Sequence, residues 1–385
     1  MGVGSWECGS VFIRPWADYQ QEWAKSAHIG KELNAKEMTL RERIAAFAEL
    51  GDVILTKRKD LQPAKGLWDS VSSANQQNAW FTPEFCTLAL ESIAKHWLSG
   101  GTLTGWLSNY PSLSDGGANP KRIGVVMAGN VPLVGFHDLL CVLITGNTCI
   151  CKVSSKDGGL IQALANALIS IEPRFGSMVA FTEDKLSGFD GIIATGSDNS
   201  ARYFDYYFRN FPSIIRRNRH SIALITGTET REQLGLLAYD IFLYFGLGCR
   251  SVSKVLVPQG YDFNPLVESM EPFRHLANHH KYSNNYMYSK TLLLMNGLEH
   301  IDNGFLILTP SEQLGSPIGV LYYQYYHSFA NAADYAARNS DGLQCVVSVS
   351  EQIPQAIAPG QSQFPGVYEY ADRRDTISFL CSMGG

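Results

Sequence analysis

IGVVMAGNVPLVGFHDLLCVLITGNTCICKV, residues 123–153, is the stretch that indicates the fold. An apolar run, Ile123 to Met127, ends at a turn, residues 133–145 predict an apolar helix, and Cys149 to Val153 predict a second strand. Short apolar strands that alternate with helices are typical of a parallel sheet with helices on both faces. A nucleotide would bind beyond the carboxyl ends of such strands.

The same alternation continues on both sides of residue 220. The first unit adds predicted helices over 159–171 and 198–210 and strands over 179–181 and 191–194. The second unit has predicted helices over about 230–245 and 328–338. Its predicted strands are 221–226, 253–258, 291–296, 305–309, 318–324 and 343–349.

Upstream of the sheet the pattern is helical. An amphipathic helix is predicted after Met38, which is also an alternative start, and another helix with aromatic anchors is predicted over 75–105. Residues 109–120 are rich in turn formers and predict a linker.

Composition limits the class of protein. The 385 residues are 45% hydrophobic and 17% charged, which is enough for a large core and gives no sign of disorder. A net charge of -5 argues against a nucleic-acid partner. No run of 18 apolar residues and no signal peptide is present, so we expect no membrane span and a cytoplasmic location.

Eight cysteines are scattered along apolar stretches, a pattern that predicts reduced and mostly buried thiols instead of a disulfide framework. They are Cys8, Cys86, Cys141, Cys149, Cys151, Cys249, Cys345 and Cys381. The Cys149-x-Cys151 pair points one way on a predicted strand, but no second pair accompanies it, so we expect no metal site.

Phe245-Gly246-Leu247-Gly248-Cys249-Arg250-Ser251 places a cysteine after two glycines, between a predicted helix and a strand. Glycines let the backbone approach a bound group, and Arg250 and Lys254 add positive potential that would lower the pKa of the thiol. A thiolate there suits attack on a carbonyl. The local sequence is equally compatible with a small buried residue at a helix end.

Three other turns carry polar groups where a predicted strand ends. Asn130 can present its amide to an oxyanion, or it can cap the following helix. Lys152, Ser154 and Ser155 can hold ribose hydroxyls or a phosphate, or they can form an ordinary solvated strand end. Thr195-Gly196-Ser197 precedes a predicted helix whose first amides can hold a pyrophosphate, although the G-x-G-x-x-G pattern is missing.

Taken in order, these motifs resemble the aldehyde dehydrogenase superfamily, and more narrowly the acyl-CoA reductases of the LuxC type. The resemblance runs from about residue 122 to 350. It is strongest at AGNVP (128–132), GNTCICKVSS (146–155), ATGS (194–197), GCRSVSK (248–254) and EQLGSPIGVL (312–321). The order and spacing of these motifs are more specific than any one of them.

The resemblance implies an aldehyde-dehydrogenase-like α/β fold with two parallel-sheet, Rossmann-like domains and a helical N-terminal region. The domains implied are a helical region over 1–115 that packs on the cofactor domain, a nucleotide-binding domain over 116–222, a catalytic domain over 223–350 and a C-terminal segment over 351–385. A homo-oligomer is compatible with this superfamily.

The resemblance also implies roles for single residues. Cys249 matches the catalytic nucleophile and Asn130 the asparagine of the oxyanion hole. Lys152 matches the lysine that contacts the cofactor ribose. Residues 195–197 match the turn that faces the pyrophosphate. Lys254 stands where many members have arginine.

Departures from the family pattern refine the expected chemistry. Residues 216–220, RRNRH, replace the segment that carries the water-activating glutamate of hydrolytic members, which favours thioester chemistry; His220 is a candidate proton donor or an anchor for the next strand. Ser155 replaces the glutamate that binds the adenosine ribose, and Lys156 adds a cation, which favours NADPH. Gln313 replaces the glutamate that contacts the nicotinamide ribose.

The sequence therefore predicts reduction of a fatty acyl-CoA, or an acyl-protein, to an aldehyde with NADPH through an acyl-Cys249 thioester. Two alternatives remain open from the sequence. One is an aldehyde dehydrogenase that oxidises aldehydes, and the other is a catalytically silent scaffold subunit with the same fold.

Overall fold

The computed structural model describes residues 38–57, 63–113, 120–154, 156–157, 159–183 and 185–383. Ser155, one of the predicted cofactor residues, and part of the predicted linker over 109–120 lie outside the described residues. The chain divides into two compact units. Unit 1 comprises Met1–Arg217 and Gly366–Gly385, and unit 2 comprises Asn218–Pro365.

The described part of unit 1 begins with a group of helices: α1 (Leu40–Thr56), α2 (Ala64–Gln77), α3 (Pro83–His96) and α4 (Gly100–Leu107). A capping box of Thr39 and Glu42 starts α1. The single helix predicted over 75–105 is wrong. Thr82 and Ser99 each cap a new helix there, because each side-chain oxygen accepts a hydrogen bond from a backbone amide three residues later.

A five-stranded parallel sheet forms the centre of unit 1. Its strands are β1 (Arg122–Val126), β2 (Thr148–Lys152), β3 (Val179–Thr182), β4 (Gly191–Thr195) and β5 (Ser213–Arg216), in the order β3-β2-β1-β4-β5. The connecting helices are α5 (Phe136–Ile144), α6 (Leu160–Ile171) and α7 (Asp198–Tyr207). From β1 the chain builds outward to β3, then returns to β4 on the other side, so the switch point lies between β1 and β4.

Unit 2 contains a six-stranded sheet in the order β11-β6-β7-β10-β9-β8, parallel except for the pairing of β8 with β9. The strands are β6 (His220–Leu224), β7 (Val252–Pro258), β8 (Ile301–Asp302), β9 (Ile307–Pro310), β10 (Val320–Tyr326) and β11 (Leu343–Val347). The helices are α8 (Arg231–Phe242), α9 (Asn264–Ser269), α10 (His280–Met295) and α11 (Phe329–Arg338).

The strand predicted over 291–296 is wrong, because this apolar run is the C-terminal half of α10. Tyr282, Tyr286 and Ser289 are the buried residues of that helix, at a helical spacing of four and three. The apolar run itself faces outward at Leu292, Leu294 and Met295. The other predicted strands are present, and two mostly parallel sheets with connecting helices confirm the α/β class.

The chain returns to unit 1 after unit 2. The last helix, α12 (Thr376–Ser382), is held there by Arg216 at the end of β5, whose guanidinium donates to Thr376 Oγ1 at 3.0 Å. The same arginine forms a buried ion pair with Asp138 of α5 at 2.5 Å. Within the described part of the chain, no helix is both long enough and apolar enough to cross a bilayer.

Candidate functional site

Cys249 lies in a tight turn between α8 and β7. The turn is closed by a hydrogen bond from Ser251 N to Gly248 O at 3.0 Å, which puts Cys249 at its second position. Just upstream, Tyr244 and Phe245 adopt left-handed backbone with φ of 54° and 57°, followed by Gly246 at 72°. Strained backbone of this kind clusters at functional sites, and here the buried Tyr244 and Phe245 side chains hold it.

Neighbouring residues fix this turn from both sides. Ser221 Oγ donates to the Cys249 carbonyl oxygen at 2.8 Å and lies 2.9 Å from Cys345 Sγ. On the other side, Arg250 Nε donates to Ser362 O at 2.5 Å. The sequence predicts that the Arg250 guanidinium adds positive potential near the Cys249 thiol. In the structure, the Nε of that guanidinium is engaged by a backbone carbonyl.

Asp240, a fully buried residue of α8, anchors the loop that receives Arg250. Its carboxylate accepts hydrogen bonds from Gly360 N at 2.6 Å and from the amide and hydroxyl of Ser362 at 2.9 and 2.7 Å. Burial raises the pKa of Asp240, so these three donors are what makes an ionised carboxylate tolerable there. No sequence motif pointed to Asp240.

The seven cysteines of the described residues are free thiols that differ in accessibility. Cys249 and Cys381 are partly exposed, and the remaining five are buried. Cys149 and Cys151 point the same way on β2, as expected, with their sulfurs 3.2 Å apart. Among the described residues no group of three His, Cys, Asp or Glu side chains is arranged to hold a metal ion.

In unit 1 the predicted residues gather at the switch point of the sheet. Val126, the last residue of β1, is in register with Lys152 on one side and Ala194 on the other. The turns that begin at Met127, Val153 and Gly196 therefore follow three adjacent strands at their carboxyl ends. This is where open α/β sheets bind ligands.

Asn130 lies in the turn after β1 and does not cap a helix. Helix α5 begins six residues later at Phe136, with Gly135 as its N-cap and no side-chain cap. The capping alternative for Asn130 is therefore wrong, and its role as an oxyanion donor stays a prediction.

Gly129 and Asn78 hold the turns after β1 and β2 together. A Cβ on Gly129 would lie 2.6 Å from Ser154 Cβ and 2.7 Å from Ser154 Oγ, so the Gly129 backbone packs directly against the Ser154 side chain. Asn78, buried just after α2, donates its amide to Lys156 O at 2.9 Å and to Gly129 O at 3.5 Å. Asn78 was missed by sequence reasoning, because only the fold brings it beside these turns.

The charged residues after β2 have distinct positions. Lys152 Nζ donates to Glu183 O at 2.8 Å, beyond the end of β3. Lys156 is exposed on the turn. Asp157 is buried and accepts a hydrogen bond from Ile161 N at 3.1 Å, and burial raises its pKa to about 6. The Asp157 carboxylate thus faces the start of α6 and not the solvent beside Lys156.

Gly196 and Ser197 form the tight connection between β4 and α7. A Cβ on Gly196 would lie 2.8 Å from Ser200 Cβ and 2.9 Å from the Phe204 ring, so a side chain does not fit. Ser197 caps α7 by accepting from Ser200 N at 3.3 Å. Asp198 occupies the first turn, so an anion bound at this helix start would lie near a carboxylate.

The segment RRNRH has structural contacts at both of its ends. Arg216 is buried in its pair with Asp138, within unit 1. In unit 2, the His220 imidazole lies against Gly315, where a Cβ would be 2.0 Å from His220 Cε1. His220 also begins β6, so it fits the predicted anchor of that strand.

A groove of about 360 Å³ opens where β9 and β10 end. Its lining residues are Pro310, Ser311, Glu312, Tyr323, Gln324 and Tyr325. Of the tyrosines between residues 282 and 326, Tyr282, Tyr286, Tyr323 and Tyr326 are buried, whereas Tyr288 and Tyr325 are exposed.

Sequence comparison confirms the family resemblance for the central part of the chain. The acyl-CoA reductase (LuxC) family model matches residues 103–270, which include Cys249. The chain is 28% identical over 154 residues to a long-chain acyl-protein thioester reductase of Aliivibrio fischeri, and 27% identical over 157 residues to that of Vibrio harveyi. Each match covers 36% of this chain and spans about a third (32%) of the relative.

Structure comparison confirms the aldehyde-dehydrogenase-like fold. A Mycobacterium tuberculosis aldehyde dehydrogenase complexed with NAD+ has a TM-score of 0.61 at 14% identity, covering 90% of this chain and 80% of that one. The aldehyde dehydrogenase KauB from Pseudomonas aeruginosa has a TM-score of 0.59 at 13% identity, covering 86% and 76%. At these identities the similarity establishes the fold.

Proposed function

We propose that this chain, whose residues 103–270 match the LuxC acyl-CoA reductase family, reduces a fatty acyl thioester to an aldehyde through an acyl-Cys249 intermediate. One observation carries the proposal. Of the described cysteines only Cys249 and Cys381 are not buried, and Cys249 alone of these two lies within the matched residues. It also lies in a turn held by Ser221 and Arg250 beside strained backbone.

The proposed reaction begins at the Cys249 sulfur. Its thiolate adds to the thioester carbonyl, the bond from that carbon to the leaving sulfur breaks, and the released thiolate takes up a proton. The Cys249 backbone amide and Asn130 are the proposed oxyanion donors, each worth about 3 kcal/mol in the transition state. NADPH, when bound, supplies the hydride that turns the acyl-enzyme into aldehyde and free Cys249.

The absence of a water-activating carboxylate over residues 216–220 supports reduction over hydrolysis. Arg216, the first residue of this stretch, is buried in an ion pair with Asp138 and cannot act as a base. His220 begins a strand and lies against Gly315. An acyl-Cys249 thioester would therefore not meet an ionised carboxylate from this segment.

The residues at the switch point of unit 1 fit a dinucleotide. Gly129 and Gly196 leave the backbone without a side chain in the turns after β1 and β4, where any Cβ would clash. Lys156 supplies an exposed cation after β2, and the nearby carboxylate of Asp157 is turned into the fold. This favours a cofactor with a 2′-phosphate, and hence NADPH.

The acyl donor is either acyl-CoA or an acylated protein. The matched family is named for acyl-CoA, whereas the similar bacterial proteins are named as long-chain acyl-protein thioester reductases. Both donors present the same thioester to the cysteine, so the chemistry at Cys249 is common to them.

The test measures NADPH oxidation with acyl-CoAs of increasing chain length and with an acylated protein. We expect oxidation that requires the thioester and falls about 10³-fold or more in Cys249→Ala. Cys381→Ala is the matched control, because it removes the other partly exposed thiol and should retain activity. Mass spectrometry without NADPH should find the acyl group on the peptide that contains Cys249.

Other outcomes would replace the proposal. Oxidation of free aldehydes without any thioester would indicate an aldehyde dehydrogenase. Absence of turnover with every donor, together with no acylation of Cys249, would indicate a scaffold subunit.

A further inference from the structure

Lys254 of β7 is a fully buried lysine five residues after the proposed nucleophile. Its ammonium donates to Gln324 Oε1 of β10 at 2.7 Å and to Tyr335 OH of α11 at 2.8 Å. The same nitrogen lies 4.7 Å from the centre of the Tyr335 ring, a cation–π distance. The proposed mechanism gives this cation no task.

Tyr335 also contacts the segment between β9 and β10. Its hydroxyl donates to Glu312 O at 3.3 Å. We call residues 311–316 the Gln313 turn. Lys254 is thus connected to the backbone of the Gln313 turn through one tyrosine hydroxyl.

The residue before Lys254 holds the same turn at a second point. Ser253 Oγ donates to Leu314 O at 2.9 Å. The next residue of the turn, Gly315, lies against the His220 ring. The strand that follows Cys249 therefore fixes the Gln313 turn on both sides of Gln313, at Glu312 and at Leu314.

Burying an ammonium group is energetically unfavourable, and the pKa of Lys254 reflects this. Burial lowers the pKa of Lys254 to about 8, although Glu312 acts in the opposite direction. Apolar side chains of similar volume often replace buried charges without loss of stability. The contacts of Lys254 with Tyr335 and Gln324 are what an apolar side chain of similar volume would lack.

We propose that Lys254 is a positioning residue that, through Tyr335, sets the position of the Gln313 turn relative to the strand that follows Cys249. This rests on the proposed function in one respect, since the resemblance puts Gln313 where the family contacts the nicotinamide ribose. The mechanical part of the proposal concerns only contacts within unit 2.

Hydrogen exchange tests the mechanical part without any activity. In Lys254→Met and in Tyr335→Phe, we expect the amides of residues 311–316 to exchange about tenfold faster, with β7 and β10 unchanged. The double variant should exchange no faster than either single one, because both changes break one connection. Lys290→Met, which removes a partly exposed lysine paired with Asp302 in the same unit, is the control and should leave the turn unchanged.

Three results would overturn the positioning role. They are unchanged exchange in the Gln313 turn of Lys254→Met, faster exchange throughout unit 2, and single-variant effects that add in the double variant. Faster exchange throughout unit 2 would indicate general loosening of the unit, and additive effects would indicate two independent contacts.

Kinetics test the link to the reaction. Lys254→Met should raise KM for NADPH several-fold, and we expect the same of Gln313→Ala, while acylation of Cys249 in the absence of NADPH should keep its wild-type rate. Equally slowed acylation would contradict the proposal, because the change would then act on the nucleophile. If the wild-type protein reduces no thioester but the exchange result holds, the proposed function fails and the positioning role stands. If the wild-type protein reduces a thioester but hydrogen exchange in the Gln313 turn is unchanged in the variants, only the positioning role fails.

Discussion

Gly129 shows how one missing side chain brings two functional turns together. Its backbone touches Ser154, and Asn78 joins the same two turns by hydrogen bonds to Gly129 O and Lys156 O. The polar groups after β1 and β2 thus keep a fixed separation, which a shared ligand would require.

We expect Gly129→Ala to weaken NADPH binding and to lower the free energy of unfolding by about 1–3 kcal/mol, because the new Cβ overlaps Ser154. Urea unfolding and cofactor titration measure the two effects. Gly105→Ala in α4 is the control, because nothing lies within 4 Å of the Cβ that it introduces. This change should raise the free energy of unfolding by about 0.5–1 kcal/mol. Adding Ser154→Gly to Gly129→Ala should recover part of the lost stability, because it removes the atoms that the new Cβ overlaps, and a double variant as unstable as Gly129→Ala would contradict the steric explanation.

Lys156 decides the choice of cofactor if a 2′-phosphate binds after β2. Replacing it with glutamate removes a charge-assisted contact, so we expect Lys156→Glu to raise KM for NADPH about tenfold or more. NADH is the internal control, because it lacks the 2′-phosphate and its KM should rise much less. Equal losses for both cofactors would place the phosphate elsewhere.

Candidate site residues could be named from the sequence where they belong to an ordered set of motifs, and their roles stay predictions. Cys249, Asn130, Lys152 and the turn over 195–197 could be named because their spacing matches a family. Asn78 and Asp240 could not, since an asparagine after a helix and an aspartate within one are common, and only the folded chain brings them to the turns that they hold.

At the scale of elements, most of the parallel strands were predicted, whereas α10 and the breaks that divide residues 75–105 into separate helices were not. Strands buried on both sides are short apolar runs bounded by turns, and those runs were recognised except for the four residues of β5. The run TLLLM in α10 has the same composition, and a window that short does not separate a period of 2 from one of 3.6. Tyr282 and Tyr286 carry the helical period, but they lie upstream of the run.

Strand β7 contributes a pH dependence through its buried lysine. The pKa of Lys254 is about 8 in the folded protein and near 10.5 when unfolded, so between these values the unfolded chain binds more protons. Stability contributed by this group therefore rises as pH increases above 8 and is lost as pH falls through 8. Thermal unfolding of wild type and Lys254→Met should show the wild type gaining relative to the variant from pH 7 to pH 9, and a constant difference would refute this.

At the scale of the whole molecule, the Arg216–Asp138 pair joins β5, α5 and the returning C-terminal helix. Because both side chains are buried, water cannot solvate either charge once its partner is removed. Removing one partner is therefore more costly than removing both. Nothing in the composition of residues 366–383 says which unit they join; that depends on contacts such as the one from Arg216 to Thr376.

We expect Arg216→Met to lower the free energy of unfolding by about 3–5 kcal/mol, because the Asp138 carboxylate is left buried and unpaired. Chemical denaturation measures this. Arg217→Met is the neighbouring control, since its pair with Asp205 is exposed and should contribute no more than about 1 kcal/mol. Adding Asp138→Asn to Arg216→Met should recover part of the loss, and an equally unstable double variant would contradict the explanation by charge.

The return of the chain to unit 1 has a consequence for synthesis on the ribosome. Residues 218–365 are translated in one piece, so unit 2 can fold as soon as it has left the exit tunnel. Unit 1 is begun first and completed last, because Gly366–Gly385 is made only after all of unit 2. Until then Arg216 has no Thr376 to bind, and the earlier part of unit 1 waits for its last helix while unit 2 is being made.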